Sequence, residues 1–374
     1  MTSRAKKGSR KHASDLRGAS RLAVDATARV TGIVQEMHGA IGGAPARLFS
    51  APVYAGIRAV AKLVGSSVDF VLARLEPLLG ESVPGAEREA ALAVLNGVIG
   101  DHLAATQNPL AIEMRLRVAG GPRPRVIVLV HGSSMNDRQW LRDGHDHGAA
   151  LARDLDATAV YVLYNSGLHV SENGRELAAR LERLVSSWPV PVEWIALVGH
   201  SMGGLVARSA CHYAEEAGLG WRDRLRDLVC IGAPHRGAPL ERIGNLVQRL
   251  GGVSRYSAPI AKLGRLRSAG VTDLRHGSVV DEDWAGRDRF ASRGRGRDRR
   301  AVPLPAGVAC FALAGTTAQA QGRKKKKLPG DGLVPVESAL GSFPTTNVAV
   351  AHGVGHLELL GAGVYPILLE WLRK

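Results

Sequence analysis

The segment 195–204, with the sequence IALVGHSMGG, constrains the fold more than any other part of the chain. It begins as an apolar run rich in β-forming residues and continues into the pattern Gly199-x-Ser201-x-Gly203. Residues 204–217 then have the composition of a helix. A strand, a sharp turn with serine at its tip and a helix together make up a nucleophile elbow. Glycine is expected at positions 199 and 203, because so tight a turn leaves no room for side chains.

The pattern alone is a weak signal in a chain with 45 glycines, so its context matters. Between residues 109 and 374 short apolar segments alternate with amphipathic ones, which predicts an α/β fold with a mostly parallel central sheet and helices on both faces. Active sites in such sheets lie at the carboxyl ends of the strands. The predicted strands are 111–118, 126–130, 159–164, 194–198, 228–231, 308–314 and 347–351, and the predicted helices are 172–187, 204–217 and 364–373.

Three further regions flank or interrupt this alternation. Residues 1–14 read as a disordered basic tail, and residues 15–108 as a helical N-terminal extension that includes a helix at 86–98. Apolar residues of the extension recur every three to four positions between 54 and 79, so we expect this face to pack on the main domain. An interfacial membrane helix is the alternative. The alternation stops between about 238 and 305, which predicts a cap or lid inserted into the catalytic domain 109–374.

The net charge of +15 is concentrated in three short runs, 1–18, 286–300 and 323–327, each with a net charge of +5. The rest of the chain is therefore neutral overall. Solvated loops are the simplest interpretation, and attraction to an anionic membrane surface is the functional alternative. Few aromatic residues accompany these runs, which disfavours nucleic acid as a partner because single strands are bound by stacking on aromatic rings.

Cysteine usage and hydropathy restrict the class of protein further. The three cysteines, Cys211, Cys230 and Cys310, are far apart in apolar or helical contexts, which predicts neither a disulfide framework nor a zinc site. The N-terminal residues have no apolar core typical of a secretory signal, and no uncharged apolar run reaches 18 residues. We therefore expect a cytoplasmic protein, with peripheral membrane contact as the alternative.

Two turns at predicted strand ends supply the first catalytic candidates. Ser201 is the candidate nucleophile, and the N–H of Met202 at the start of the following helix is a candidate oxyanion donor. The strand 126–130 leads into His131-Gly132-Ser133, where the N–H of Ser133 is the second candidate donor. His131 is equally well explained as a buried structural histidine.

The acid and the base are predicted on two later loops. Asp331 lies in a Gly-Asp-Gly turn after strand 308–314, and His356 lies in the loop after strand 347–351. His352 competes with His356 for the base, and the position deeper in the loop favours His356. The order Ser, Asp, His is that of one known class of triad. The carboxylates that compete with Asp331 are Asp281, Asp283 and Glu337.

At these motifs the chain resembles the α/β-hydrolase superfamily, and within it the bacterial lipase and esterase group. GHSMG at 199–203 is similar to the lipase-type elbow, and GAPHRG at 232–237 is similar to the segment after the next strand in triacylglycerol lipases and inositol-deacylase-like lipases. DGLV from Asp331 and HLE from His356 are similar to the acid and base segments of that group. The resemblance covers about 125–374. The helical extension and the arginine-rich insertion fall outside it.

The resemblance implies a carboxylic ester hydrolase that works through an acyl-enzyme and needs no cofactor. In several bacterial lipases the residue two after the histidine is a calcium-binding aspartate. Here that residue is Glu358 without a convincing partner carboxylate, so no metal is predicted. The lid-like insertion and apolar extension favour lipid-like esters. The alternatives are an acyltransferase or thioesterase with the same triad, or a non-catalytic hydrolase-like scaffold that contacts membrane or RNA.

Overall fold

A computed structural model describes residue 18 and residues 85–239, 268–286, 300–320 and 328–374. The basic tail, the predicted helices before residue 85, the runs 287–299 and 323–327, and most of the predicted lid lie outside the described residues. None of the helices in the described ranges combines the length and the apolar character that a membrane crossing requires.

The centre of the fold is a seven-stranded sheet in the order β1-β5-β2-β6-β7-β8-β9. Only the edge strand β1 runs antiparallel, and every other neighbouring pair is parallel. A separate two-stranded hairpin, β3 and β4, lies in the connection after β2. The strands are β1 (Arg115–Ala119), β2 (Arg125–Val130), β3 (Leu141–Arg142), β4 (His145–Asp146), β5 (Thr158–Leu163), β6 (Trp194–His200), β7 (Leu225–Ile231), β8 (Ala309–Thr316) and β9 (Val348–His352).

Helices cover both faces of this sheet. They are α1 (Gly85–Ala105), α2 (His147–Asp154), α3 (Val170–Ser186), α4 (Met202–Glu216), α5 (Ala269–His276), α6 (Val336–Leu340) and α7 (Tyr365–Arg373). Helix α2 packs on the face of the sheet that carries the side chain of Leu129. Helix α7 packs, through Trp371, on the face that carries the side chain of Phe311. The strand register places Leu129 and Phe311 on one face. Cys230, which contacts α4, is on the opposite face with the α3–α4 pair.

The burial of the inner strands explains why they read as continuous apolar runs. Five of the six residues of β2 are buried, as are six of the seven residues of β6. Strands covered on both faces need apolar side chains in both directions, so alternation is lost. The mostly parallel α/β sheet predicted from the sequence is confirmed.

The boundaries differ from expectation mainly where polar residues begin or end an element. Strand β7 begins three residues before the predicted strand, and β1 begins four residues after it. Helix α2 and the β3–β4 hairpin were not predicted, because their sequence is short and rich in polar residues. Short 3₁₀ turns occur at Gly220–Arg224, Asp281–Asp283, Thr345–Asn347, Glu358–Leu360 and Ala362–Val364.

Helix α1 is the described part of the N-terminal extension, and it packs into the same apolar core as the sheet. Leu95 and Leu103 are fully buried in that core. The Asn96 side chain donates to the carbonyl of Leu110 at 2.8 Å and accepts from the N–H of Ile112 at 2.9 Å. These bonds fix the helix to the chain segment that leads into β1.

Candidate active site

Ser201 occupies a strained turn between β6 and α4. Its backbone has φ +54° and ψ −123°, in a region that residues with a Cβ rarely adopt. The Ser201 N–H donates to the carbonyl of Ile231 at 2.8 Å, so the turn is held against the end of β7. Strain of this kind persists only where the surrounding structure enforces it, and it is typical of functional sites.

The glycines of the elbow are required by close backbone approach. A Cβ on Gly203 would lie 2.0 Å from the carbonyl oxygen of Val130, at the end of β2. A Cβ on Gly199 would lie 2.5 Å from the backbone of Gly203 itself. The helix α4 therefore begins in contact with β2, which brings Ser201 close to the loop that follows β2.

His356 and Asp331 come together from the loops after β9 and β8. His356 Nδ1 lies 2.7 Å from Asp331 Oδ2, and both side chains are buried. The other carboxylate oxygen, Oδ1, accepts from the N–H groups of Leu333 at 2.9 Å and Val334 at 2.8 Å. The His356 N–H also donates to the Asp331 carbonyl at 2.9 Å. Both loops are thus fixed to each other through main chain and side chain.

The environment of Asp331 keeps its carboxylate ionised. Burial alone would raise the pKa of Asp331, but the charge of His356 and the hydrogen bonds from His356, Val334 and Leu333 outweigh it, so the pKa is held below its ordinary value. An ionised acceptor on Nδ1 keeps the proton of His356 on that nitrogen and leaves Nε2 as the basic atom.

Ser201 Oγ and His356 Nε2 are both buried, and neither makes a hydrogen bond within the described part of the chain. Both residues lie close to the end of β7, where the Ser201 N–H is bonded to the Ile231 carbonyl. A Cβ on the next residue, Gly232, would lie 3.3 Å from His356 Cε1. Catalytic hydrogen bonds are often long before substrate binds, so the two unpartnered atoms are compatible with a nucleophile and its base.

The two predicted oxyanion donors belong to the residue after this serine and to the loop after β2. The N–H of Met202 opens α4, and the N–H of Ser133 follows β2; neither has an acceptor among the described residues. A Cβ on Gly132 would lie 3.1 Å from Ser201 Cβ, so the loop after β2 is in contact with the serine. The positive end of the α4 dipole adds a field that favours an anion beside Met202.

His131 supports this loop. It is fully buried and stacks on Tyr164 with ring centroids 4.3 Å apart. Its Nδ1 lies 2.8 Å from the Gly132 carbonyl, and the Tyr164 hydroxyl donates to the His131 carbonyl at 2.8 Å. Burial lowers the pKa of His131 to about 4, so the ring is neutral at physiological pH. These contacts favour the structural interpretation of His131.

His200 contacts the base loop, a role that the sequence did not predict. Its Nε2 lies 3.1 Å from the His356 carbonyl oxygen, and its ring is buried beside Trp140. Burial and, secondarily, the charge of His356 lower the pKa of His200 to about 3, so neutral His200 donates from Nε2. The residue before the nucleophile thus holds the loop that carries the base. Its position in the G-x-S-x-G pattern marked it as near the site, but the pattern could not show which loop it contacts.

The residues that compete for the roles of base and acid lie in other surroundings. His352 is exposed at the end of β9, whereas His356 is buried. Asp281 pairs with Arg175, and Asp283 accepts from the N–H of Val279 at 2.8 Å. Glu337 lies in the short helix α6. The carboxylate in contact with the buried histidine is that of Asp331.

Histidine, cysteine, aspartate and glutamate are the side chains that most often bind metal ions in proteins. No group of three such side chains in the described ranges is arranged to hold a metal ion. Glu358 accepts a hydrogen bond from the N–H of Gly355, the residue before His356, and so stabilises the loop that carries the base.

Residues 122–298, just under half of the chain, match the family model of a PGAP1-like alpha/beta domain. No curated protein matches the chain in sequence. Among solved structures, the mature lipase BlEst2 of Bacillus licheniformis is similar over 69% of this chain and 98% of its own, with 18% identity and a TM-score of 0.45. An esterase of Pyrococcus furiosus matches over 70% and 86% of the two chains, with 12% identity and a TM-score of 0.40. An esterase of Pyrobaculum calidifontis matches over 69% and 78%, with 14% identity and a TM-score of 0.41.

The fold is that of an α/β hydrolase. The order of the parallel strands, the serine elbow after the central strand β6 and the matched alpha/beta domain all support this class. The α/β-hydrolase fold expected from the motifs is thus supported by the strand order and the serine elbow.

Proposed function

We propose that the protein is a serine hydrolase that cleaves carboxylic esters, with Ser201 as nucleophile, His356 as general base and Asp331 as the acid that orients it. The observation that carries this proposal is the strained, unpartnered Ser201 at the elbow beside a buried histidine whose Nδ1 is fixed by an ionised carboxylate. A turn of this geometry has no evident structural purpose, whereas it presents a hydroxyl to an incoming carbonyl.

The mechanism follows from these positions. His356 Nε2 takes the proton of Ser201 Oγ as that oxygen forms a bond to the ester carbonyl carbon. The N–H groups of Met202 and Ser133 stabilise the resulting oxyanion. When the bond from carbon to the leaving oxygen breaks, His356 returns the proton to the departing alcohol. Water, deprotonated by the same Nε2, then releases the acid from the acyl-enzyme.

We propose that the substrates are lipid-like esters. We also propose that the protein is cytoplasmic and makes peripheral contact with anionic membranes. The support is the sequence itself: three basic runs carry the whole net charge, and the insertion at 238–305 falls between strands β7 and β8 that border the site. Sedimentation with liposomes at low salt tests this. Binding that increases with the anionic lipid fraction is expected, and equal binding to neutral and anionic liposomes would contradict it.

The test of the reaction uses short p-nitrophenyl esters and a fluorophosphonate probe. Ser201→Ala should reduce turnover by about 10⁴-fold or more and abolish labelling, because it removes the nucleophile. Ser209→Ala is the matched control, since Ser209 Oγ is also fully buried and unpartnered but lies about two turns along α4. Retained labelling of Ser201→Ala would refute the proposal, and so would failure of the unsubstituted protein to label.

A further inference from the structure

The loop after β2, which carries the proposed oxyanion donor Ser133, is in close contact with helix α1. An added Cβ on Gly97, in the interior of α1, would lie 2.0 Å from Ser134 Oγ and 2.9 Å from Ser134 Cα. Gly97 and Ser134 are both buried. Glycine is unfavourable inside a helix relative to alanine, so its presence at this contact is explained by the close approach of the loop.

Ser134 itself has a strained backbone. Its φ of +59° lies in the left-handed region, which residues with a Cβ rarely adopt. The Ser134 N–H donates to Ser166 Oγ at 2.9 Å, whereas its own Oγ is buried without a hydrogen-bond partner among the described residues. The bond to Ser166 and the packing against Gly97 thus help to keep Ser134 in this conformation. Ser133 is the preceding residue, so a displacement of Ser134 also moves the Ser133 N–H.

Helix α1 also contacts the loop after β5, which contains Ser166. The Asn165 side chain donates from Nδ2 to the Gly100 carbonyl at 2.9 Å, and both Asn165 and Ser166 are buried. Gly100 lies three residues after Gly97 in α1. The helix therefore reaches Ser134 by two routes, directly at Gly97 and indirectly through Asn165 and Ser166.

We propose that α1 positions the oxyanion donor of the active site, with Gly97 and Ser166 as positioning residues that act through Ser134. This inference rests on the proposed ester hydrolysis, and it gives a helix of the N-terminal extension a part in that reaction. The oxyanion forms only as the ester carbonyl is attacked. A displaced donor should therefore lower kcat far more than it raises KM.

Gly97→Ala tests the direct route, measured as steady-state hydrolysis of p-nitrophenyl esters. We expect kcat to fall by about tenfold to a hundredfold with little change in KM, because the added methyl group displaces the donor loop. Gly85→Ala is the control, since Gly85 lies in the same helix and its added Cβ would have nothing within 4 Å. An equal loss in Gly85→Ala, or a loss confined to KM, would overturn the proposal.

An alkyl trifluoromethyl ketone gives a second readout. Ser201 Oγ bonds to its carbonyl carbon and His356 takes the hydroxyl proton, so an anionic oxygen is left for the oxyanion donors to bind. The affinity of Gly97→Ala for this ketone should fall by a factor similar to that in kcat. Unchanged affinity would show that the donor is not displaced, which would also overturn the proposal.

A second substitution in the loop should restore part of the activity. Ser134→Gly removes the Oγ and Cβ atoms that alanine at position 97 would meet, and glycine adopts a φ of +59° readily. The variant with both Gly97→Ala and Ser134→Gly should therefore have a kcat at least about threefold above that of Gly97→Ala alone. Losses that simply add would show that the contact between α1 and the loop does not control the donor.

Ser166→Ala tests the indirect route, and it remains informative if Gly97→Ala folds poorly. It adds no atom and removes the acceptor of the Ser134 N–H, so kcat should fall by about tenfold with KM little changed. Ser209→Ala is the control, since its Oγ is also buried but lies in α4 without a partner. Chemical denaturation of each variant checks that it is folded.

Fluorophosphonate labelling of the unsubstituted protein separates this inference from the reaction on which it rests. Absence of labelling would refute the ester hydrolysis and the role of α1 together. Normal labelling and turnover, with kcat unchanged in both Gly97→Ala and Ser166→Ala, would overturn the role of α1 alone.

Discussion

The molecule contains two buried pairs of a histidine and an aspartate, and they differ in how the carboxylate is satisfied. In one pair, His356 Nδ1 contacts Asp331 at 2.7 Å, and in the other, His169 Nδ1 contacts Asp273 at 3.0 Å. Both oxygens of Asp331 accept hydrogen bonds, whereas only one oxygen of Asp273 does. The ring of His169 is stacked on Trp284, whereas the Nε2 atom of His356 has no hydrogen-bond partner and lies near Ser201.

This difference separates a carboxylate that orients a base from one whose second oxygen is buried without a hydrogen bond. The charge of His356 and its hydrogen bond, together with the N–H groups of Val334 and Leu333, stabilise the carboxylate of Asp331, so its pKa is lowered in spite of burial. Burial raises the pKa of Asp273, because its contacts with His169 and Val170 do not compensate fully and Asp283 adds a like charge. A histidine beside an aspartate is thus insufficient to define a catalytic pair, and the remaining hydrogen bonds of the carboxylate decide its role.

The largest expected effect comes from removing the base. His356→Ala should lower turnover of p-nitrophenyl esters by about 10⁴-fold or more, as expected for a triad member. His352→Ala is the control, because His352 is exposed at the end of β9 only four residues earlier. Steady-state kinetics on both variants decides the base, and an equal loss in His352→Ala would contradict the assignment.

Asp331→Asn should have the next largest effect, about 10⁴-fold on kcat with little change in KM. The amide can donate to Nδ1 of His356, which places the proton on the wrong nitrogen and removes the basic Nε2. The comparison of the two pairs predicts that Asp273→Asn costs far less turnover. An equal loss of kcat in the two variants would erase the distinction between the pairs.

Gly232→Ala disturbs only the pair at the proposed active site. Gly232 has φ +58°, and an added Cβ would lie 2.9 Å from Leu359 Cδ1 and 3.3 Å from His356 Cε1. We expect a loss of roughly tenfold to a hundredfold in kcat, because small displacements of catalytic groups are costly. Gly307→Ala is the control. Gly307 also has a positive φ, +72°, so alanine costs a similar backbone free energy there, but the added Cβ would have nothing within 4 Å. Both should lose about 1 kcal/mol or more in unfolding free energy, and only Gly232→Ala should lose substantial activity.

The sequence predicts the fold well because the signals that define it are local. The apolar runs of β2 and β6 require a sheet covered on both faces, and the glycines at 199 and 203 can be understood from the tightness of one turn. Asp331 and His356 were predicted as partners from their places after successive strands. The distance between them depends on the β8–β9 pairing, which no local pattern encodes.

The pair of His169 and Asp273 was not predicted, for a physical reason. The two residues are 104 positions apart, and Asp273 lies within the stretch 238–305 in which the strand–helix alternation stops. Its helix α5 has eight residues and is too short to give a strong periodic signal. Likewise the contact of His200 with the His356 carbonyl joins the end of β6 to a loop 156 positions away. Polar groups that act through tertiary contacts leave little trace in local sequence.

The smallest effect, and the most direct test of the comparison, is the pH dependence of stability. The lowered pKa of Asp331 means that its contribution to stability is present above the unfolded carboxyl pKa of about 3.9 and is lost as the pH falls through the folded value. The raised pKa of Asp273 has the opposite sign, with stability present below about 3.9 and lost as the pH rises through the folded value.

Chemical denaturation between pH 3 and 7 therefore should separate the two asparagine variants. The unfolding free energy lost in Asp331→Asn should shrink toward acid pH, and that lost in Asp273→Asn should grow, each by up to about 1.4 kcal/mol per pH unit. The buried histidines His131, His147 and His200 also have lowered pKa values, and they destabilise every variant alike as the pH falls below about 6.5. Their contribution cancels when each variant is compared with the unsubstituted protein at the same pH. Parallel curves for the two variants would show that the carboxylates occupy equivalent environments.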